Sequence, residues 1–360
     1  MFTKNMHNNR IHWIDIAKGL MIIGMVLNHI TNICHRAGVD ISAFPWNFTL
    51  GHAYGVFTMQ SFFILSGYTT NYNKDFLSFL KKQVKGLLMP YLFFSIICAL
   101  IAFGLWKKPF YIDCYGETWF FILESYWFLS ALFLAKVLMF IINKLSNNRS
   151  IIELGGGILL IIAGIAISEY YSGTPEPSHW HNWFHYRNGL CMAVFLTIGY
   201  YLKKYQVVER YGLKIGIGYC VLYCITYLIL LLGVPGSQYL AAPNYTHYLD
   251  PNLNNVNGFL LIPSYLFYCT AGSIMVFWIA QKIKSSKLFE YFGRTSLIIY
   301  CVHFTFLKLS IDILSDYMSV SGIFTSGVFW GIVAIVTLTA SVLMAMLFER
   351  KPFTYLIGKF

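Results

Sequence analysis

Residues 13–33 read W-I-D-I-A-K-G-L-M-I-I-G-M-V-L-N-H-I-T-N-I, an apolar run interrupted by a few polar side chains. At a rise of about 1.5 Å per residue, a helix of this length crosses the roughly 30 Å hydrocarbon core of a bilayer. The run is too long for the apolar region of a cleaved signal peptide, and it carries Asp15 and Lys18. We therefore predict a transmembrane helix here.

The rest of the chain has the same character. Of its 360 residues, 57% are hydrophobic and 11% are charged, whereas soluble domains average about 45–50% apolar and about 25% charged residues. So few charges cannot form a water-soluble surface, which argues against a cytosolic enzyme, a secreted disulfide scaffold, a nucleic-acid binder and a disordered adaptor. We predict an all-α integral membrane protein, a single polytopic domain over residues 1–360 with no appended soluble domain. About ten transmembrane helices are expected, at approximately 13–33, 51–71, 86–105, 119–143, 152–168, 187–203, 212–233, 257–280, 295–315 and 323–348.

Basic residues are spread unevenly over the loops between these stretches. With the N-terminus in the cytoplasm, most of the 26 Lys and Arg residues fall on cytoplasmic loops. The outer loops then hold only Arg36, Lys107, Lys108 and Arg187. Because cytoplasmic loops are enriched in Lys and Arg, we predict that both termini face the cytoplasm. This bias also accounts for the net charge of +11 without any nucleic-acid partner.

The first stretch carries a polar stripe. At about 100° per residue, Lys18 and His29 differ by about 20° around the helix, and Asp15 lies about 60° from Lys18. Ionisable groups at membrane depth are costly and are functional candidates by default. Histidine is the side chain best suited to proton transfer near neutral pH. The alternative is an inward-packed stripe, in which Asp15 pairs with Lys18 and His29 is hydrogen-bonded to a neighbouring helix.

Other polar residues within the stretches give weaker signals. His303 lies midway along the ninth stretch, where Lys308 and Asp312 are spaced to pair with each other. The pattern favours a structural role for each of them, least clearly for His303. The eight cysteines form no C-x-x-C pair, so we predict neither a metal site nor a disulfide framework.

Four motifs in order resemble those of the membrane acyltransferase-3 family. The first is the spacing from Lys18 to His29, similar to the basic residue of that family followed by ten residues and a histidine. The others are S-F-F-I-L-S-G-Y at 61–68, Y-W-F-L-S-A-L-F at 126–133 and L-F-E-Y-F-G-R-T-S-L-I-I-Y-C-V-H at 288–303. The resemblance covers essentially the whole chain, and the W-I-D-I-A-K-G opening is most similar to the branch of fucose O-acetylases.

The resemblance implies a membrane O-acyltransferase of a bacterial plasma membrane. It would move an acetyl group from cytoplasmic acetyl-CoA, as a substrate rather than a bound cofactor, to a hydroxyl of a surface glycan or lipid-linked oligosaccharide. We expect His29 to act as general base or acyl relay and Asn28 to stabilise the oxyanion. We expect Asp15 to hold Lys18 or to tune the inner mouth of the polar stripe. We expect Lys18 and Arg10 to bind the donor. Further candidate site residues are Ser66, Trp127 and His303.

The chain departs from the family in three respects. Members of the fucose O-acetylase branch often have H-M-P before the paired phenylalanines of the second stretch, where this chain has Thr58-Met59-Gln60. Lys18 stands where other branches have arginine and lacks the bidentate fork of a guanidinium. No hydrolase-like domain of the kind fused to some members is expected.

Two other classes of function compete with an enzyme. A polytopic transporter or flippase is compatible with an internal polar stripe, although no two-fold repeat of the kind common in transporters is visible. The other is a non-catalytic scaffold. In a scaffold, His29 could be replaced without loss of function, whereas helix-packing glycines such as Gly67 could not. Transfer or hydrolysis of acetyl-CoA by membranes discriminates between these classes.

Overall fold

The computed structural model describes residues 11–36, 51–106, 126–147, 149–172, 185–232, 258–321, 326–355 and 357. Over these residues the chain is helical and contains no strand. The helices are α1 His12–Arg36, α2 Gly51–Thr69, α3 Phe76–Gln83, α4 Met89–Trp106, α5 Trp127–Leu145, α6 Ser150–Ser172, α7 Tyr186–Lys204, α8 Val207–Leu231, α9 Gly258–Lys282, α10 Lys287–Arg294, α11 Ser296–Ser321 and α12 Ser326–Phe348. A π-helical turn, Val84–Leu88, joins α3 to α4, and a short 3-10 helix spans Phe353–Tyr355.

Eight helical segments in this part of the chain are long and apolar enough to cross a membrane. In lipid, every backbone polar group must be satisfied internally, which is why such apolar segments adopt helices. Helices also form at the predicted stretches 51–71 and 187–203, where α2 and α7 have 19 residues each but do not count among the eight. The all-α integral membrane fold is confirmed, while the count of about ten spans, the single domain and the cytoplasmic termini stay predictions.

The chain forms two compact units, each built from several segments. The first comprises Met1–Thr58, Val207–Leu222 and Ala271–Ala345, and the second comprises Met59–Gln206, Tyr223–Thr270 and Met346–Phe360. Among the described residues, the first unit therefore holds α1, α10 and α11. The second unit holds α3 to α7.

In the first unit, two glycines bring α1 and α10 into direct backbone contact. A Cβ at Gly19 of α1 would overlap the carbonyl oxygen of Phe289, and a Cβ at Gly293 of α10 would overlap the carbonyl oxygen of Asp15. Small residues at helix crossings allow this approach because no side chain separates the backbones. The contact places α10 along the N-terminal half of α1. Ser286 caps α10 by accepting a hydrogen bond from the backbone N–H of Phe289 (3.4 Å).

The second unit repeats this arrangement between α2 and α7. A Cβ at Gly67 would overlap the carbonyl oxygen of Leu196, and a Cβ at Gly199 would overlap the carbonyl oxygen of Ile64. Each of the two helices thus supplies one glycine and one carbonyl. Gly67 is therefore a helix-packing residue.

A buried carboxylate ties three helices of the second unit together. Glu153, in the first turn of α6, is 2% exposed. It accepts hydrogen bonds from Asn143 Nδ2 (2.6 Å), Ser146 Oγ (3.3 Å) and the hydroxyl of Tyr201. A buried charge is tolerated where it is hydrogen-bonded in this way, so α5, α6 and α7 are held together around one side chain.

Candidate functional site

Two histidine rings lie next to each other in the first unit. The ring centroids of His29 on α1 and His303 on α11 are 5.3 Å apart, with an angle of 33° between the ring planes. The ring of Phe304 packs against both histidines, and its centroid lies 4.6 Å from that of His29 and 4.7 Å from that of His303. His29 is partly exposed, whereas His303 is 0% exposed. The structure thus brings together the histidines that end the first and the last sequence motif.

The hydrogen bonds of His303 fix its tautomer. Its Nδ1 lies 2.7 Å from the carbonyl oxygen of Tyr300 and 3.1 Å from that of Ile299. Because a carbonyl oxygen can only accept, Nδ1 must carry the hydrogen. In the neutral ring Nε2 is then an acceptor, and it is buried without a hydrogen-bond partner among the residues that the structure describes.

Asn28 precedes His29 on α1 and lies against α2. A Cβ at Gly55 would lie 3.1 Å from Nδ2 and 3.2 Å from Oδ1 of Asn28. The absence of a side chain at Gly55 therefore makes room for this amide. Asn28 and His29 are neighbours in sequence, and their side chains leave the helix about 100° apart.

Asp15 and the predicted donor-binding residue Lys18 lie toward the N-terminal end of α1. Asp15 is buried and Lys18 is half-buried, and the same helix carries both of them and His29. Asp15 also lies in the first turn, where a carboxylate is stabilised by the helix dipole. Arg10 lies outside the described residues.

The sequence did not predict a contact between His12 and Glu290 near this end of α1. His12 Nδ1 lies 3.2 Å from a carboxylate oxygen of Glu290 on α10. The hydrogen bond that His12 donates holds the pKa of the Glu290 carboxyl below its usual value. These residues are 278 positions apart in sequence, and no local pattern points from one to the other. The pair adds a polar tie to the glycine contacts between α1 and α10.

The two remaining candidates lie in the second unit. Ser66, near the end of α2, accepts a hydrogen bond at its backbone oxygen from Thr70 Oγ1 (2.6 Å). Trp127 begins α5, and its backbone oxygen accepts a hydrogen bond from Ser130 Oγ (3.0 Å). Both side chains are half-buried. These contacts are local to their own helices and assign no chemical role to either side chain.

The helix α1 carries imidazole, amide, carboxylate and ammonium groups, with Lys18 about 16 Å from His29 along the helix axis. Over the described ranges, no group of three or more His, Cys, Asp or Glu side chains is placed to hold a metal ion. Imidazole can take and return a proton near neutral pH. Together with an amide donor, this set suits acid–base chemistry at a carbonyl group.

Comparison with protein families gives one match. The family model described as an acyltransferase domain matches residues 11–346, and so includes every candidate site residue except Arg10. Among curated proteins and among solved structures, nothing matches.

Proposed function

The chain belongs to the acyltransferase-3 family, and we propose that it moves an acetyl group from cytoplasmic acetyl-CoA to a hydroxyl of a cell-surface or exported glycan. Family membership and the membrane-spanning helices make it a multi-pass membrane acyltransferase. The acetyl donor, the glycan acceptor, the likeness to fucose O-acetylases and the bacterial plasma membrane belong to the proposal. The observation that supports the site is the position of His29, partly exposed at the end of a polar stripe.

In the proposed reaction, His29 is the general base. It takes the proton from the acceptor hydroxyl as the oxygen attacks the carbonyl carbon of the thioester. The new C–O bond gives a tetrahedral intermediate, whose oxyanion accepts a hydrogen bond from the Asn28 amide. The C–S bond then breaks, and the proton passes from His29 to the sulfur, which leaves as the free thiol of CoA.

An acyl-histidine relay would use the same residue differently. A ring nitrogen of His29 would first attack the thioester carbonyl carbon, the C–S bond would break, and CoA would leave as its thiol with the proton of the ring. The acceptor hydroxyl would then attack the acyl-histidine, and its proton would return to the ring as the C–N bond breaks. In either case, Lys18 and Arg10 supply positive charge for the anionic donor, and Asp15 holds Lys18. Ser66 and Trp127 remain candidates for contacts with the substrates.

Base-labile acetate on surface glycans provides the test. A deletion strain would be complemented with the wild type, with His29→Ala or with His12→Ala, at equal membrane abundance. His12 is the matched control, a histidine at the other end of the same helix whose side chain is 65% exposed. We expect the wild type and His12→Ala to restore the ester acetate and His29→Ala to leave it absent.

Other outcomes would change the proposal in different ways. Restoration by His29→Ala would remove the catalytic assignment and leave the activity standing. Unchanged acetate with the wild type would refute the acetyl or glycan specificity. Assays of acetyl-CoA consumption by isolated membranes would then separate an acyltransferase with another acceptor from a transporter.

A further inference from the structure

We propose that His303 is a positioning residue, which accepts a hydrogen bond from the ring N–H of His29 and so presents the other nitrogen of His29 to the acceptor hydroxyl. The inference rests on the acyl-transfer function proposed above. It assigns a distinct role to each of the two histidines.

The tautomer of His303 makes it suitable for this role. Its Nδ1–H is committed to the backbone oxygens of Tyr300 and Ile299, which hold the ring in place on α11. Nε2 therefore has only a lone pair to offer. Because Nε2 is buried without a partner among the described residues, it carries an unmet demand for a hydrogen-bond donor.

His29 is close enough to supply that donor. Two imidazoles that share an N–H···N hydrogen bond of about 3 Å have centroids about 5 Å apart, and these centroids are 5.3 Å apart. The described structure contains no such bond, so a small rotation of His29 would have to form it. Catalytic hydrogen bonds are often misaligned before the substrate binds and tighten afterwards.

The burial of the two rings decides which of them meets the substrate. His29 keeps some exposed surface, whereas His303 is completely buried. Phe304 packs against both rings. In the proposed arrangement the hydroxyl group therefore meets His29, and His303 acts on the reaction through His29.

The shared hydrogen bond would stabilise the state in which His29 holds the proton of the hydroxyl. Neutral His29 has one N–H, which it donates to His303, and one lone pair, which takes the proton. Once protonated, His29 carries a positive charge, and a hydrogen bond from a charged donor is stronger than one from a neutral donor. His29 then returns the proton to the departing sulfur, and His303 neither gains nor loses a proton.

The test compares His303→Gln with His303→Met. The two replacements are equal in length, but only glutamine places an oxygen acceptor near the position of Nε2. Acetyl transfer would be measured in membranes with the wild type, His29→Ala and both variants, matched for abundance and for thermal stability in detergent. We expect His303→Met to lose up to about 100-fold in kcat with an unchanged KM for acetyl-CoA, because the base is no longer held in position. We expect His303→Gln to recover at least about tenfold of that loss.

Each result supports or overturns the inference. Similar activity of the Met and Gln variants, whether high or low, overturns it, because the acceptor atom would then make no difference. A rise in KM with kcat unchanged also overturns it. If His29→Ala is inactive and His303→Met is fully active, this inference fails while the proposed function stands. If wild-type membranes transfer no acetyl group, both fail.

Discussion

Gly55 of α2 lies against the side-chain amide of Asn28, where a larger residue would fit tightly. A methyl group there would lie 3.1 Å from Nδ2 and 3.2 Å from Oδ1, which is tighter than ordinary van der Waals contact. The position of the Asn28 amide thus depends on a glycine of another helix. Gly55, which has no side chain, therefore affects the placement of Asn28, the proposed oxyanion donor.

Asn28→Leu removes the amide donor at nearly constant shape. We expect kcat to fall by about 100-fold with little change in KM, because an oxyanion donor acts mainly in the transition state. Gly55→Ala should give a smaller loss of kcat, since the amide is displaced rather than removed. The control is Gly218→Ala on α8, where an added Cβ meets nothing within 4 Å. Steady-state acetyl transfer measures all three variants, and wild-type kcat in Asn28→Leu would exclude the oxyanion role.

Substitution of either glycine between α1 and α10 should destabilise the first unit. In Gly19→Ala and in Gly293→Ala the new methyl group meets a backbone carbonyl, which cannot rotate away as a side chain can. Overpacking of this kind costs about 1–3 kcal/mol or more. The expected result is a lower melting temperature in detergent for both variants.

Gly331→Ala on α12 provides the comparison for this pair, because no atom lies within 4 Å of its added Cβ. It should melt at or slightly above the wild-type temperature, since alanine favours a helix over glycine. Equal melting temperatures for all three variants would show that the close contact contributes nothing to stability.

Loss of the buried carboxylate of Glu153 should destabilise the second unit. Glu153→Ala leaves Asn143 Nδ2 and the Tyr201 hydroxyl without this acceptor, whereas Ser146 Oγ keeps its hydrogen bond to the backbone oxygen of Asn143. Each buried polar group left unsatisfied costs about 1–3 kcal/mol. We therefore expect the free energy of unfolding to fall by several kcal/mol, measured by denaturation in mixed micelles.

Glu209 of α8 serves as the control for this change. Its carboxylate accepts a hydrogen bond from Gln281 Nε2 (3.0 Å) at an exposed position, where water can replace the lost partner. Glu209→Ala should change the free energy of unfolding by no more than about 0.5 kcal/mol. Equal effects of the two alanine variants would contradict the structural role of Glu153.

Acid should weaken the tie between α1 and α10. Because His12 holds the pKa of the Glu290 carboxyl below its usual value in the folded protein, the ionised form stabilises the fold. This contribution is complete above the ordinary Glu pKa of about 4.3 and is lost as the pH falls through the lowered value. The wild type should therefore lose more thermal stability than Glu290→Gln as the pH falls from about 5 to about 3. Parallel losses in the two proteins would count against the ion pair.

Much of the fold was predictable because hydropathy and helical period act locally. The run at 13–33 is long enough to cross a bilayer, and it forms α1. The stripe of Asp15, Lys18 and His29 follows from about 100° per residue and needs no information about other helices. The family could likewise be inferred from motifs whose order along the chain is independent of their contacts.

The neighbours of α1 could not be predicted in this way. Apolar helices resemble one another on the outside, and composition does not specify which pairs touch. His303 looked structural because nothing in its own helix connects it with His29. One signal in the sequence pointed to a functional role of His303, which is that the family motif at 288–303 ends in this histidine. Gly19 and Gly293 are likewise ordinary glycines until the carbonyl oxygens of Phe289 and Asp15 are placed against them.

The paired glycines of α1 and α10 have a consequence for motion. If α10 turned by about 100° about its axis, Phe292 or Arg294 would replace Gly293 in front of the Asp15 carbonyl, and a side chain would collide with the backbone. Rotation of α1 would in the same way bring a side chain against the Phe289 carbonyl in place of Gly19. The two glycines therefore oppose rotation of either helix, and we expect a movement of this half of α1 during turnover to carry α10 with it.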